Sequence, residues 1–227
     1  MLINILVLKK KKILEQFKER VTLEKILEES ISFNQKLLWD NSNGYFKLAT
    51  TVEELIDVFK LRSDIYTQLN YDNEFPDIIK GLNFDTYDEN SAVLYTQVNN
   101  ELTGTCRLIF DSNKKLPTEK EFSFDYMRSK YKNIAEVSRL IIKHKTGGLN
   151  LEFKNLTKGV YSILADNSIG TSLSIIKKDH FKLYSKFGGF NIEKELNGYG
   201  HLDNNFVITS WDVSQISKFF KKAFLNI

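Results

Sequence analysis

An arginine inside an apolar strand restricts the fold of this chain more than any other feature. Arg107 stands in Thr105-Cys-Arg-Leu-Ile-Phe110, a run of strand-forming residues. It is not alone. Arg62 lies on the apolar stripe of a predicted helix, Leu55, Phe59, Arg62 and Tyr66, spaced by four, three and four. Glu136 and Ser138 share one face of Ala135-Glu-Val-Ser-Arg-Leu-Ile-Ile142, and period-two alternation predicts that Arg139 points to the other. Asp85 and Asp88 flank Tyr87 in Phe84-Asp-Thr-Tyr-Asp88. An isolated buried charge costs several kcal/mol, so such groups persist only when paired or when they face a wet cleft. Three cations and three anions suit mutual pairing. They make either a structural ion-pair lattice or a polar site set into a sheet.

The rest of the chain says what kind of sheet. Residues 10–38 read as one or two helices with apolar Ile13, Phe17, Val21, Ile26 and Leu27. Asp40-Asn-Ser-Asn-Gly44 is a loop by composition and the one internal boundary, separating a helical segment, 1–44, from a main domain, 45–227. A short strand over Tyr45–Ala49 precedes a helix opened by the capping-box pattern Thr51-Val-Glu-Glu54. Ser91–Val98 and Leu102–Phe110 form a hairpin over Asn99-Asn100-Glu101, and Ile134–Ile142 is a third strand. A helix near Phe153–Ala165, a strand at Ser172–Ile176 and a helix from Asp179 to Gly188-Gly189 follow. Strands at Asn191–Leu196 and Phe206–Trp211 precede a C-terminal helix starting at Asp212. This alternation predicts a mixed sheet covered by helices.

Composition excludes several functions. Cys106 is the single cysteine, and His144, His180 and His201 are far apart, so no disulfide and no closely spaced metal site is expected. The apolar opening Met1–Leu8 is followed, not preceded, by Lys9–Lys12, the reverse of a secretory signal. It is also far short of the ~20 residues of a spanning helix. The expectation is a cytoplasmic protein without a transmembrane segment. A net charge of +3 does not argue for nucleic acid. Its distribution is uneven: six acids against Lys80 lie between Asp72 and Glu89, and basic clusters occur at Lys143-His-Lys145 and Lys177-Lys178. These are either solvated faces or docks for an acidic partner or a phosphate-bearing ligand.

Four segments form a linked set: Phe84-Asp-Thr-Tyr-Asp-Glu-Asn-Ser91, Gly104-Thr-Cys-Arg-Leu-Ile109, Leu116-Pro-Thr-Glu119 and Glu136-Val-Ser-Arg-Leu140. With Arg62, Tyr66 and Tyr71 upstream, this set resembles the core of acyl-homoserine-lactone (autoinducer) synthases and the related N-acyl amino acid synthases. The resemblance is good over roughly residues 45–145, looser at Lys182–Phe190, and absent from residues 1–44. It implies a GNAT fold, with a mixed, mostly antiparallel sheet flanked by helices, extra helices at the N-terminus, and a V-shaped opening between central strands.

The same resemblance implies that an acyl group carried by acyl carrier protein, or by coenzyme A, meets a small amine or amino acid there, with no bound cofactor and no metal. Arg62, Tyr66, Tyr71, Asp85, Asp88, Arg107 and Arg139 match the family's charged, substrate-binding core. Glu136 is the candidate base, since amine attack on a thioester needs a neutral amine. Ser138 either protonates the departing thiol or hydrogen-bonds locally, the second being favoured. A backbone N–H at the strand opening is expected to stabilise the developing oxyanion.

The departures also inform. Tyr71 and Cys106 stand where lactone synthases carry tryptophan, which weakens S-adenosylmethionine as acceptor. The Arg-x-x-Gly-x-Gly phosphate loop of coenzyme A-using relatives is replaced by Lys143-His-Lys-Thr-Gly-Gly148. A helix N-terminus there still offers N–H groups to a phosphate, making Lys143, Lys145, Gly147 and Gly148 the carrier-arm candidates. Acyl carrier protein, itself acidic, is favoured as donor over free coenzyme A. Two other readings compete: a GNAT-like binding module without turnover, and a protein whose basic N-terminal helix acts at a membrane or partner surface. Glu15, Glu19 and Glu24 count against the latter.

Overall fold

The computed structural model describes residues 2–40, 44–143, 150–225 and 227, with residues 2–9 described through their backbone alone. Its centre is a seven-stranded sheet. The strands are β1 (Lys47–Leu48), β2 (Ser91–Val98), β3 (Glu101–Phe110), β4 (Ile134–Ile142), β5 (Thr171–Lys177), β6 (Phe190–Leu196) and β7 (Phe206–Asp212). They are ordered β1-β2-β3-β4-β5-β7-β6. Every neighbouring pair is antiparallel except β4–β5.

Local chemistry explains the early elements. Helix α1 (Leu2–Lys36) is one continuous helix rather than two. Its Asn34 is buried and completes the sheet edge: Asn34 Nδ2 donates to the Ser91 carbonyl (3.0 Å), and the Val93 N–H donates to Asn34 Oδ1 (3.0 Å). These β2 groups lie beyond the reach of the two-residue β1 and need a partner when buried. Helix α2 (Val52–Gln68) opens on the predicted capping box, with Thr51 Oγ1 accepting from the Glu54 N–H (3.3 Å) and Glu54 Oε2 from the Thr51 N–H (3.1 Å). The β2–β3 hairpin turns on Asn99 and Asn100, both left-handed (φ 51° and 64°), a conformation asparagine tolerates.

β2 is buried on both faces, and its side chains alternate between two cores. Ala92 and Leu94 join Cys106, Leu108 and helix α4 (Leu151–Asp166), whereas Val93 and Tyr95 meet α1 and α2. A third cluster, including Ile109, Phe124, Ile134 and Leu173, fills the sheet's far end and takes in the short helix α3 (Asp125–Lys130).

The C-terminal half departs from expectation. The helix expected from Asp179 is broken into a 3-10 turn (Lys178–His180), a single turn α5 (Phe181–Tyr184) and another 3-10 turn (Ser185–Phe187). It ends at Gly188 and Gly189, both at positive φ, where an added Cβ on Gly189 would lie 2.2 Å from the Asp212 carbonyl oxygen. Asp212 caps only a 3-10 turn, Val213–Gln215, not the helix expected there. The Ser217 N–H then donates to the Phe187 carbonyl (2.7 Å), and Ser217 caps helix α6 (Lys218–Phe220), which runs into a π-turn. Tertiary packing of Phe220 and Phe224 against Phe187 sets this path.

Candidate active site

α2, β3, β4 and the segment before β2 deliver their charges to one place. Arg62, fully buried on α2, donates through Nη1 to Asp88 Oδ1 (2.8 Å). Asp88 Oδ2 accepts from Arg107 Nη1 (3.1 Å) and from the Asp85 N–H (2.9 Å). Arg107 Nη1 also reaches Asp85 Oδ1 (2.6 Å), and Asp85 Oδ2 accepts from Arg139 Nη2 (3.0 Å). The result is an alternating chain, Arg62–Asp88–Arg107–Asp85–Arg139, of three cations and two anions. Burial alone would raise the Asp85 pKa, but the Arg107 and Arg139 guanidiniums hold it well below the usual carboxylate range.

Arg139 corrects the period-two expectation: it faces the cluster, not the opposite side of the sheet. One β3 residue, Cys106, opposes two of β4, Arg139 and Leu140, since Arg107 pairs with Ser138 and Thr105 with Ile141. The extra residue makes a bulge with Arg139 at φ +53°. Its guanidinium lies against Tyr66 (5.2 Å) and Phe75 (4.6 Å). Its Nη1 is buried and has no hydrogen-bond partner among the described residues.

Glu136 corrects a second expectation, that all six charges pair with one another. It is 4% exposed and takes part in none of these ion pairs. Its Oε2 accepts the Thr118 N–H (2.9 Å) from the 3-10 turn Pro117–Lys120. Burial pushes the carboxyl up to about 7, while hydrogen bonding from Thr118 and the Arg107 charge pull it down. A carboxyl balanced there exchanges a proton readily at neutral pH. The turn is itself clamped: Arg128 on α3 binds Glu119 through Nη1 (2.8 Å) and Nη2 (2.6 Å), and Asp111 through Nε (2.7 Å) and Nη2 (2.8 Å). Sequence reasoning singled out the Leu-Pro-Thr-Glu segment, but nothing in it showed that the Thr118 N–H meets Glu136.

β4 and β5 pair only at Ile134↔Thr171, Ala135↔Ser172 and Glu136↔Leu173, then separate. The first three residues of each strand are buried, and from Val137 and Ser174 onward the residues of both are partly exposed, Ile141 apart. Glu136 therefore sits at the apex of a fork whose β4 edge has left the β5 ladder. The loop between β6 and β7 crosses toward the acidic segment, where Glu74 Oε2 accepts the His201 N–H (2.8 Å). Tyr199 on that loop is pushed up to about 12 by burial and then by the charges of Glu136 and Glu74.

The remaining candidates fall as follows. Ser138 Oγ accepts from Arg107 Nε (3.0 Å). Tyr71 is half-buried and adds backbone bonds beyond the end of α2, its N–H donating to the Tyr66 carbonyl (2.8 Å). Lys143 is paired with Glu101 across the β3–β4 edge. Lys145, Gly147 and Gly148 lie outside the described residues. Among the described residues no group of three or more His, Cys, Asp or Glu is arranged to hold a metal ion, and no helix is long and apolar enough to cross a membrane.

Known proteins share this architecture. The solved structure of FeeM, an N-acyl amino acid synthase from uncultured soil microbes, has 18% identity and a TM-score of 0.63, covering 79% of this chain and 93% of its own. The acyl-homoserine-lactone synthase LasI gives 15% identity and a TM-score of 0.59 over 80% and 94% of the two chains. BjaI, a CoA-dependent acyl-homoserine-lactone synthase solved with SAM and isopentyl-CoA, gives 18% and 0.57 over 77% and 82%. At such identities the likeness shows the fold, the expected GNAT-like one. No curated protein sequence matches the chain. The family model for N-acyl amino acid synthase FeeM, however, matches residues 57–212 of the 227, from α2 to the end of β7. That span holds the whole ion-pair chain, Glu136 and the fork, and the protein belongs to the FeeM family of N-acyl amino acid synthases, which are N-acyltransferases.

Proposed function

We propose that this chain moves a fatty acyl group from an acyl carrier protein thioester to the amine of a small amino acid, within an acyltransferase unit of residues 45–227. The observation that carries the reading is the placement of Glu136, a carboxyl balanced near pH 7, at the apex where β4 and β5 part. The acyl arm enters the fork, and the amine attacks the thioester carbonyl from beside Glu136. The N–C bond forms and the C–S bond breaks; the amine proton passes to Glu136 and from there to the departing thiolate. Backbone N–H groups on the freed β4 edge face the developing oxyanion. The charged chain carries a net positive charge, and Arg139 Nη1 has a donor to spare, which supports an acceptor bearing a carboxylate. Because β4 and β5 are parallel, Lys143 and Lys177-Lys178 lie on the same edge, at the fork's open end; Lys143 faces Glu101 and Lys178 faces Glu195 (2.7 Å), and Lys177 beside them supports docking of an acidic carrier.

The test is incubation with acyl carrier protein thioesters of several lengths, matching acyl-CoAs, the amino acids and S-adenosylmethionine, read by mass spectrometry. N-acyl amino acids from carrier-bound donors are expected. Products from acyl-CoA alone would overturn the donor assignment, a homoserine lactone the acceptor, and no acylated product from any pair the whole reading.

A further inference from the structure

The first half of α1 carries an apolar face that is left exposed among the described residues. The helix packs on the domain through Leu23, Ile26, Leu27, Ser30 and Asn34. Before that point Ile13, Leu14, Phe17 and Val21 are 65%, 54%, 66% and 48% exposed. At 3.6 residues per turn these four fall on one arc of about 100°, centred about 140° round the axis from the packed face. The arc is therefore not a continuation of the core stripe; it points away from the body of the protein.

Charge follows the same geometry. Arg20 borders one edge of the arc, Lys18 and Lys11 the other, and Lys10 stands at its N-terminal end, all exposed. Of the three acids that counted against a surface role in the linear sequence, Glu15 and Glu19 lie roughly opposite the arc, and Glu24 stands on its azimuth one turn beyond Val21, marking where the apolar arc ends. Residues 10–22 hold five basic and two acidic side chains. Over residues 10–22 the apolar arc is edged by cations and both acids are turned away, the pattern of a helix lying in a bilayer interface. Pairing of two copies along this arc would set Lys10, Lys18 and Arg20 close to one another, whereas anionic headgroups neutralise them.

We infer that the N-terminal half of α1 binds an anionic lipid surface, inserting Ile13, Leu14, Phe17 and Val21 with Lys10, Lys11, Lys18 and Arg20 on the headgroups. The surface is separate from the acyl-transfer site, so its test is independent of the donor and acceptor assignment. The full-length protein is mixed with phosphatidylcholine vesicles with or without phosphatidylglycerol, and the bound fraction is read by flotation. Binding to the phosphatidylglycerol vesicles is expected, weakening with salt. Replacing Lys10, Lys11 and Lys18 by Ser lowers the partition coefficient about 100-fold, and Leu14→Asp with Phe17→Asp abolishes binding while the melting temperature holds. The inference is overturned by absence of binding to anionic vesicles, or by binding that both variants leave intact. A dimer in light scattering that Phe17→Asp dissociates, without vesicle binding, assigns the arc to a second copy instead.

Discussion

Replacing Glu136 by Gln tests the chemistry and the energetics of the fork with one substitution. Glutamine keeps the shape and an acceptor for the Thr118 N–H but removes the titration. If Glu136 is the base, turnover falls about 10²–10⁴-fold. The wild-type rate should rise with pH through about 7, where burial places the carboxyl, and that limb should vanish in the variant. Stability must move the opposite way. Below pH 4.5 the carboxyl is protonated in both folded and unfolded chains and costs nothing extra. Between about 4.5 and 7 the unfolded chain releases the proton while the folded one retains it, so wild-type stability drops by about 1.4 kcal/mol per pH unit and levels off above 7. From pH 5 to pH 8 the variant should therefore gain about 2–3 kcal/mol on the wild type. Urea midpoints at the two pH values measure this directly. A difference that stays constant, with an unchanged rate profile, would refute the assignment of a strained, titrating Glu136.

Two further outcomes follow from the same geometry. Arg128→Met removes the clamp that ties Glu119, and with it the 116–120 turn, to Asp111; loss of the Thr118 contact, which lowers the Glu136 pKa, should move the acidic limb of kcat/KM to higher pH, a shift that mere destabilisation does not produce. Asp88→Asn leaves Arg62 buried beside a neutral group, so denaturant titration should show a loss of about 3–5 kcal/mol, whereas Asp57→Asn, at an exposed ion pair on α2, should cost under about 1 kcal/mol.

The sequence determined most of the first half by local rules. Thr51 and Glu54 specify where α2 begins, alternation specifies β2, β3 and β4, and a pair of asparagines specifies the hairpin. Charges within apolar runs marked Arg62, Arg107 and Glu136, because solvation energy forbids them from being there unpartnered. Tertiary structure decided the rest. The side to which Arg139 points depends on a bulge that exists only opposite β3. The separation of Glu136 from the arginines depends on a turn some 18 residues upstream that delivers the Thr118 N–H. The last residues follow aromatic packing around Phe187 rather than their own helical pattern. The division has a physical cause: capping, turns and periodicity act within a few residues, whereas desolvation, pairing register and the parting of two strands are set by neighbours remote in the chain.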